Sequence, residues 1–392
     1  MSNQINTCDI AIIGGGLVGS VLAGLLAPTK LRIIVLDRHV FESTHTEHFD
    51  RRTTAVSWGS SLILQKMGLW QDLEPMSTPI REIRISQASG SGFVHFNAED
   101  AGHHPMGFIV DNFKLRQRLH QVLLSYDNID LKSPCQVDSL IFHDHEATIR
   151  LKEGEEIKAK LVIGADGRLS QIRQEINIKD YARSYHQSAL VTSVRHELPH
   201  HNVAFEHFLS TGPLAFLPLR THESSLVWSL NDDWADVMKS LSTEEFAQEL
   251  YLRFPYLGGL EITSERACYP LNITVAHGLV TKRCVLIGDA AHAIHPIAGQ
   301  GANLGFRDAE ELAHILAEAA HLGMDVGCEM LLKRYQRRRI TDIASLSLMT
   351  DGLVRLFSGS SKAFGFVRGQ GLKVTQSLPF IRRRLTRHAM GL

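Results

Sequence analysis

Spaced glycines are the first residues in the chain that point to chemistry. Gly14-Gly15-Gly16-Leu17-Val18-Gly19 is a G-x-G-x-x-G run. It follows an apolar segment over 9–13 that reads as a short buried strand and opens an apolar stretch over 16–27 that reads as a helix. Gly14 permits the tight turn, Gly16 lets a pyrophosphate approach the backbone, and Gly19 lets helix and strand pack closely. The N–H groups at the helix start, around Leu17 and Val18, then face the phosphates. A second apolar strand over 31–36 ends at Asp37-Arg38, eighteen residues beyond Gly19. A carboxylate there accepts hydrogen bonds from both ribose hydroxyls and repels a 2′-phosphate. A dinucleotide is expected, and the motif alone does not separate NAD from FAD.

Two distant segments carry further polar residues in the same kind of setting. Residues 160–164 read as a strand entering Ala165-Asp166-Gly167-Arg168, with Ser170 and Arg173 close behind. Residues 283–287 read as another strand, running into Gly288-Asp289-Ala290-Ala291-His292. The loop Ile294-His295-Pro296-Ile297-Ala298-Gly299-Gln300-Gly301 follows, and a long amphipathic helix starts near Ala302 or Asn303 with Leu304, Ala309, Leu312, Ile315 and Leu316 as its stripe.

GGGLVG, ADGRLSQIR and GDAAHAIHPIAGQGANLGFRDA, in that order, resemble the three signatures of flavoprotein aromatic hydroxylases of the p-hydroxybenzoate hydroxylase fold. The connecting segments FDRRTTAVS, YHQSALV, AFEHFLSTGPLAFLPL, SLVWS and RYQRRRITD resemble the ubiquinone-biosynthesis branch of that family. Within the branch, HPIAGQG and Glu206-His207-Phe208 are most similar to the hydroxylases of 2-polyprenyl-6-methoxyphenol. The resemblance implies a Rossmann-like α/β FAD-binding domain, interleaved with a mainly β substrate domain and followed by a C-terminal helical segment. It implies bound FAD, with Gly14, Gly16 and Gly19 at the pyrophosphate and Asp37 at the adenosine ribose. Arg52 matches an arginine near the flavin, although Asp50-Arg51-Arg52 replaces the usual Asp-Gly-Arg. Asn112, opening a helix over 112–123, matches a polar FAD contact. Asp166 belongs to a motif that touches FAD and is implicated in NAD(P)H binding. Asp289 matches the carboxylate that bonds the ribityl chain, and Pro296 with Gly299, Gln300, Gly301, Ala302 and Asn303 flanks the flavin ring. NAD(P)H or another donor then reduces FAD, O2 gives a flavin C4a-hydroperoxide, and oxygen passes to a polyprenylated phenol. A hydroxylase of another hydrophobic aromatic and a non-catalytic FAD-binding assembly subunit remain open alternatives.

The elements that must position these residues are interleaved in sequence. The FAD domain is expected over 1–78, 105–182 and 275–352, the substrate sheet over 79–104 and 183–274, and a basic amphipathic segment over 353–392. Phe216, Pro218 and Trp228 are expected either to line an apolar substrate tunnel or to be ordinary core. His295 could position or deprotonate a phenol, with Pro296 beside it; a supporting role for His295 is the alternative.

Composition sets the outer limits. Hydrophobic residues make up 44% and charged residues 21% of 392, the proportions of a folded globular protein. A net charge of −1 opposes a nucleic-acid-coating chain. The uncharged run over 10–29 has the length of a membrane span, but five glycines, three of them consecutive, break it. Five scattered cysteines without a C-x-x-C indicate neither disulfides nor a zinc ribbon, and a reducing compartment is the natural setting. His103-His104, His143/His145 and His200-His201 lack metal-site spacing, so no metal is expected. From residue 333 onward there are thirteen Lys or Arg against Asp342 and Asp351. A basic, aromatic-studded end of that kind suits an anionic membrane surface or partner enzymes of the pathway, and a C-terminal helix packed on the FAD domain with a solvated basic face is an equal alternative. The expected setting is cytoplasmic, peripheral at the inner membrane.

Overall fold

A computed structural model describes residues 6–40, 52–88, 92–358 and 375–392. Asp50 and Arg51, and most of the basic residues expected between 353 and 375, lie outside them.

Two large sheets organise the chain. The first runs in the order Val280–Thr281, Cys284–Leu286, Glu156–Gly164, Asn6–Ile13, Ile33–Leu36, Ile129–Lys132, with Ala147–Leu151 and Val137–Phe142 branching from Glu156–Gly164. Its central pairings are parallel, with Ile12 opposite Ile163 on one side and Val35 on the other. Such strands are covered on both faces, which is why they read as continuous apolar runs rather than alternating ones. Ile10, Ile12, Ile33, Ile34, Leu161 and Val162 are fully buried. The helices Leu17–Leu26 and Gly301–His321 pack together against this sheet.

The second sheet runs His292–Ala293, Ala267–Ala276, Asp180–His196, Glu223–Asn231, Gly212–Pro218, Val203–Leu209, Glu82–Gln87, Phe93–Asn97. Its strands alternate, so each face has its own character. Leu190, Leu214, Phe216, Leu226 and Trp228 form a core beneath the helices Asp232–Ser240 and Thr243–Arg253. The opposite face looks toward the first sheet's long helix and the C-terminal helices. A small third sheet of Thr53–Ser57, Gly107–Asp111 and Thr78–Ile80 bridges the two.

The helix Glu329–Ser358 passes residue 353 without a break. The last helix, Pro379–Ala389, is tied to the body rather than projecting from it. Arg382 makes a two-pronged bond to Asp100, at 2.8 and 3.1 Å, and Gly59 donates its N–H to Met390 O at 2.7 Å.

Candidate functional site

Two depressions gather most of the candidate residues, one around the turn at Gly14–Gly16 and one beside the loop at Ile297 and Gln300. One is polar and made largely of backbone; the other is apolar and made of side chains.

The polar cleft, about 430 Å³, opens at the carboxyl ends of the parallel strands, where an α/β sheet ordinarily takes a ligand. Gly14 sits at φ +113°, and a Cβ there would lie 2.2 Å from Ala165 O. A Cβ on Gly19 would lie 2.0 Å from Gly14 O. These two glycines are required by the protein itself. Gly16 differs: a Cβ would meet nothing within 4 Å, and the space in front of it belongs to the cleft. Leu17 and Val18 occupy the first turn of a helix with no side-chain cap and no acid there, so its positive end is left for a ligand.

Asp37 closes one wall. Its carboxylate accepts from Gly15 N at 2.7 Å and His39 N at 2.8 Å while still lining the cleft, next to Arg38 and Arg52. Arg52 stacks over the Tyr269 ring at 4.9 Å. Asn112 is buried at the start of Asn112–Leu123 and accepts from Thr54 Oγ1 at 2.5 Å; it is not among the residues lining this cleft. Asp166 lines it, but its carboxylate accepts from Ser170 Oγ (2.5 Å) and from Gln171 and Ile172 N–H (2.7 and 3.2 Å), capping a short helix. Sequence spacing missed Arg116 and His120, which join the lining from a helix otherwise read only for its first residue. His120 Nε2 lies 3.0 Å from Gly15 O and supports the glycine turn from behind.

Asp289 stands exposed on a single 3-10 turn, Gly288–Ala290. The turn beneath it is held rigidly. Asp308 Oδ2 meets His292 Nε2 at 2.5 Å and Gly288 N at 3.0 Å, and Asp308 Oδ1 accepts from Arg339 Nε at 2.7 Å. Burial pushes the Asp308 carboxyl up, but His292 and Arg339 outweigh it and hold it below the usual carboxylate range. Arg173 reaches across from the Asp166 segment to donate to Ala290 O at 2.7 Å. Three sequence-distant motifs thus form one connected unit.

Pro296 is exposed and begins the turn Ile297–Gly299. Gly299, at φ +62°, leads into Gln300 and the helix Gly301–His321. That helix has neither a side-chain cap nor an acid in its first turn, and a Cβ on Gly301 would meet nothing within 4 Å. Ala302 follows Gly301 in that turn. Asn303 is committed to the protein: its side chain accepts from Ser57 N at 2.9 Å and donates to Ala55 O at 2.8 Å and Gly299 O at 3.1 Å. It pins the loop to the strand Thr53–Ser57. His295 is buried, its Nδ1 accepts from Ile297 N at 3.1 Å, and its ring meets Tyr185 edge-on at 5.1 Å. Burial, opposed by Asp351, pushes its pKa down to about 4. With its acceptor nitrogen occupied, His295 is placed to hold the turn.

The apolar cavity, about 380 Å³, is walled in part by this loop. Ile83, Ile85, Val94, Phe96, Glu206 and Phe208 contribute its sheet wall. Ile297 and Gln300 bring the loop to it, and Leu346, Met349, Leu353, Leu385 and His388 close it from the C-terminal helices. Gln300 also donates to Ala389 O at 3.3 Å, joining loop to last helix. Phe216 and Trp228 do not line this cavity. Both are fully buried in the core on the opposite face of the sheet, with Phe216 stacked on Phe254 at 4.6 Å. Pro218, two residues on from Phe216, is buried and likewise not among the lining residues. Among the described residues Glu206 is the one acid in the cavity wall, and burial pushes its pKa up to about 7. Among the described residues, no group of His, Cys, Asp or Glu is arranged to hold a metal.

These features fit FAD: an open approach at Gly16 and Gly301, two uncapped helix starts facing ligand space, and an exposed carboxylate at Asp289 between them in the chain. The FAD binding domain family matches residues 7–346. The ubiquinone hydroxylase UbiL of Rhodospirillum rubrum is 37% identical over 98% of this chain and 89% of its own length. The 3-demethoxyubiquinol 3-hydroxylase of Escherichia coli is 33% identical over the full length of both. Human mitochondrial ubiquinone biosynthesis monooxygenase COQ6 is 30% identical over 96% of this chain and 91% of its own. In fold, the chain is similar to p-nitrophenol 4-monooxygenase PnpA of Pseudomonas putida, with a TM-score of 0.81 at 18% identity, covering 98% and 99% of the two chains. PqsL of Pseudomonas aeruginosa, with 2-aminobenzoylacetate, gives a TM-score of 0.82 at 20% identity over 94% of this chain and all of that one. This chain therefore belongs to the FAD-binding-domain family, in the branch of the ubiquinone-biosynthesis hydroxylases, and is an FAD-dependent monooxygenase.

Proposed function

We propose that the chain hydroxylates the ring of a polyprenylated phenol in ubiquinone biosynthesis, with 2-polyprenyl-6-methoxyphenol as its substrate. The observation that carries this reading is the cavity of aliphatic walls that shares Ile297 and Gln300 with the flavin-side loop. An aromatic ring with a hydrocarbon tail matches its lining, and such walls exclude water. Bound FAD supplies the redox chemistry that activates O2 for transfer to the ring. The glycine turn would hold the pyrophosphate, Asp37 the ribose and Asp289 the ribityl chain, while N–H groups from Gly301 to Asn303 favour negative charge on the reduced ring. NAD(P)H is the proposed electron donor, visiting transiently, since no second G-x-G-x-x-G is present. Deleting the gene should make 2-polyprenyl-6-methoxyphenol accumulate. The E. coli relative acts, by its name, on 3-demethoxyubiquinol, and accumulation of that later compound would overturn the assigned ring position.

The same reading places the protein in the cytoplasm, peripheral at the inner membrane, where a prenylated substrate resides and other pathway enzymes meet it. Among the described residues no helix is long and apolar enough to cross a membrane. The last helix exposes Arg383, Arg384, Arg387 and Phe380, while Leu385 and His388 line the cavity. Basic residues near an anionic surface contribute roughly 1 kcal/mol each. Replacing Arg383, Arg384 and Arg387 together by Gln should reduce co-sedimentation with phosphatidylglycerol vesicles, and salt should weaken the wild-type binding. Vesicle binding indifferent to both would remove the membrane from this reading.

A further inference from the structure

The cavity's sheet wall is aliphatic and aromatic with a single exception. Along Val203–Leu209 the side chains alternate, and register fixes which face each takes. Glu206 stands opposite Ile85 on one side and Ala215 on the other, and Ile85 stands opposite Val94. Phe205, Arg84 and His95 share the other face, where Arg84 lies over the Phe205 ring. Glu206 is therefore set into the middle of an apolar wall, partly accessible only because the cavity lies before it.

Packing gives no reason for a carboxyl at this place. A Leu or Met would complete the wall, whereas an unpaired carboxylate in apolar surroundings is among the costliest placements a protein can make. Among the described residues its carboxyl has neither a hydrogen-bond nor an ion-pair partner. The other buried acid near the site, Asp308, is satisfied on both oxygens. Among the described residues the cavity's remaining polar side chains are elsewhere engaged or exposed: Ser57 Oγ bonds Ser60, Gln300 bonds Ala389 O, Thr375 has a partner of its own, and His388 is exposed on the last helix. Among the described residues none supplies a donor to Glu206, which leaves that place to what fills the cavity.

We propose that Glu206 is the polar anchor of the substrate cavity, its carboxylate accepting the hydrogen bond of a ring hydroxyl and thereby fixing which ring carbon faces the loop at Ile297 and Gln300. This rests on reading the cavity as the phenol site. An anchor of this kind separates a phenol from its methyl ether, because the ether fills the same space and leaves the carboxylate without a donor. Sharing the proton of the hydroxyl also makes the ring more electron-rich, the property that oxygen transfer to a ring carbon demands.

The pH dependence follows from sign. Burial raises the Glu206 pKa to about 7. A donor that bonds the charged form lowers it again on binding, so phenol affinity is full above that value and weakens as pH falls through it. The groups around Glu206 do not carry this behaviour. His207 on the same strand faces the other way and bonds Ser86; Arg84 and His95 share that far face; Asp351, beyond Phe208, is engaged by Tyr185, Arg183 and Arg355. His388 is the other titratable group in the cavity lining.

The test is equilibrium binding of 2-geranylphenol and 2-geranylanisole to the FAD-loaded protein, wild type and variants, by calorimetry. Wild type should prefer the phenol by about 10- to 100-fold, the worth of a hydrogen bond to a charged acceptor. Glu206→Leu should erase the preference by weakening the phenol while keeping or improving the ether. Glu206→Gln should keep part of the preference and lose its pH dependence, which separates this anchor from His388. Phenol preference in Glu206→Leu equal to wild type, or a pH dependence that survives Glu206→Gln, would overturn the anchor alone. Binding of neither probe by the wild type would overturn the phenol reading of the cavity, and the anchor with it.

Discussion

The polar cleft and the apolar cavity have no lining residue in common, and they are built on opposite logic. The cleft is centred on backbone at the ends of parallel strands, with glycines where other residues would collide, one helix start left without a cap, and polar side chains such as Asp37, Arg52 and Arg116 around it. Few of its side chains are free to vary without closing it. The cavity is made of side chains from strands and from two C-terminal helices, any of which can be exchanged for another apolar residue of similar size. A common cofactor is thus held by conformation, and a particular substrate is selected by side-chain identity. Variation in this architecture should then change what is hydroxylated far more readily than what does the hydroxylating.

The largest effect should come from the network that serves both regions. Asp308 and Arg339 are buried and bonded to each other; Asp308 carries the Gly288–Ala290 turn, and Arg339 belongs to Glu329–Ser358, the helix that brings Leu346, Met349 and Leu353 to the cavity. Arg339→Ala leaves a buried carboxylate with only His292 and Gly288 N to oppose burial. Breaking a buried pair this way costs about 3–5 kcal/mol, so Tm should fall by several degrees and FAD should be lost. The sign with pH is definite. In the wild type Asp308 is held below the usual range, so its contribution is complete above about pH 4 and fades only as pH drops beneath it. In the variant, burial pushes the same carboxyl up, and protonation relieves the unpaired charge. The deficit against wild type should therefore be largest near neutral pH and shrink on acidification. A deficit unchanged across that range would show that Arg339 acts by packing alone.

The two regions were unequally legible in the sequence. Gly14, Gly16, Gly19 and Asp37 could be marked because a tight turn, a close approach and a strand-end acid demand particular residues at particular spacings, whereas Asp289 was marked through family resemblance alone. Asn303 was marked as part of a cofactor loop, but its side chain clamps that loop to Ala55 and Ser57, 246 residues away for the Ser57 bond. No local pattern announces such a bond. Phe216 and Trp228 stood out by size, and size belongs equally to core; both are in the core. Alternation along Val203–Leu209 shows that the strand has two faces without showing which one looks into a cavity. That depended on strand neighbours 120 residues apart, the Glu82–Gln87 pairing, and on the last helix folding back through Arg382 to Asp100. The basic end read equally as a membrane-facing surface or as a helix packed on the body, and its pattern did not show that Leu385 and His388 reach the cavity.

The smallest change offers the cleanest separation of conformation from ligand space. Gly14 and Gly16 lie two residues apart in one turn, and adding a methyl group to each should have different consequences. Gly14→Ala places Cβ against Ala165 O and requires a positive φ that costs an L-residue about 1–2 kcal/mol before any clash is counted. It should lower the Tm of the FAD-free protein and abolish FAD retention together. Gly16 sits at φ −70°, ψ −170°, a conformation open to any residue, and its Cβ would point into empty space. Gly16→Ala should therefore leave the Tm of the FAD-free protein unchanged or slightly raised, by up to about 0.4–1 kcal/mol from the stiffer unfolded chain. Its FAD affinity should nonetheless fall about tenfold or more, since the methyl occupies the place where the pyrophosphate meets the backbone. Binding of the 2-geranylphenol probe, in the apolar cavity, should persist in Gly16→Ala protein. If that variant instead loses fold, cofactor and probe binding at once, the cleft and the cavity are a single cooperative unit, and the division drawn between them fails.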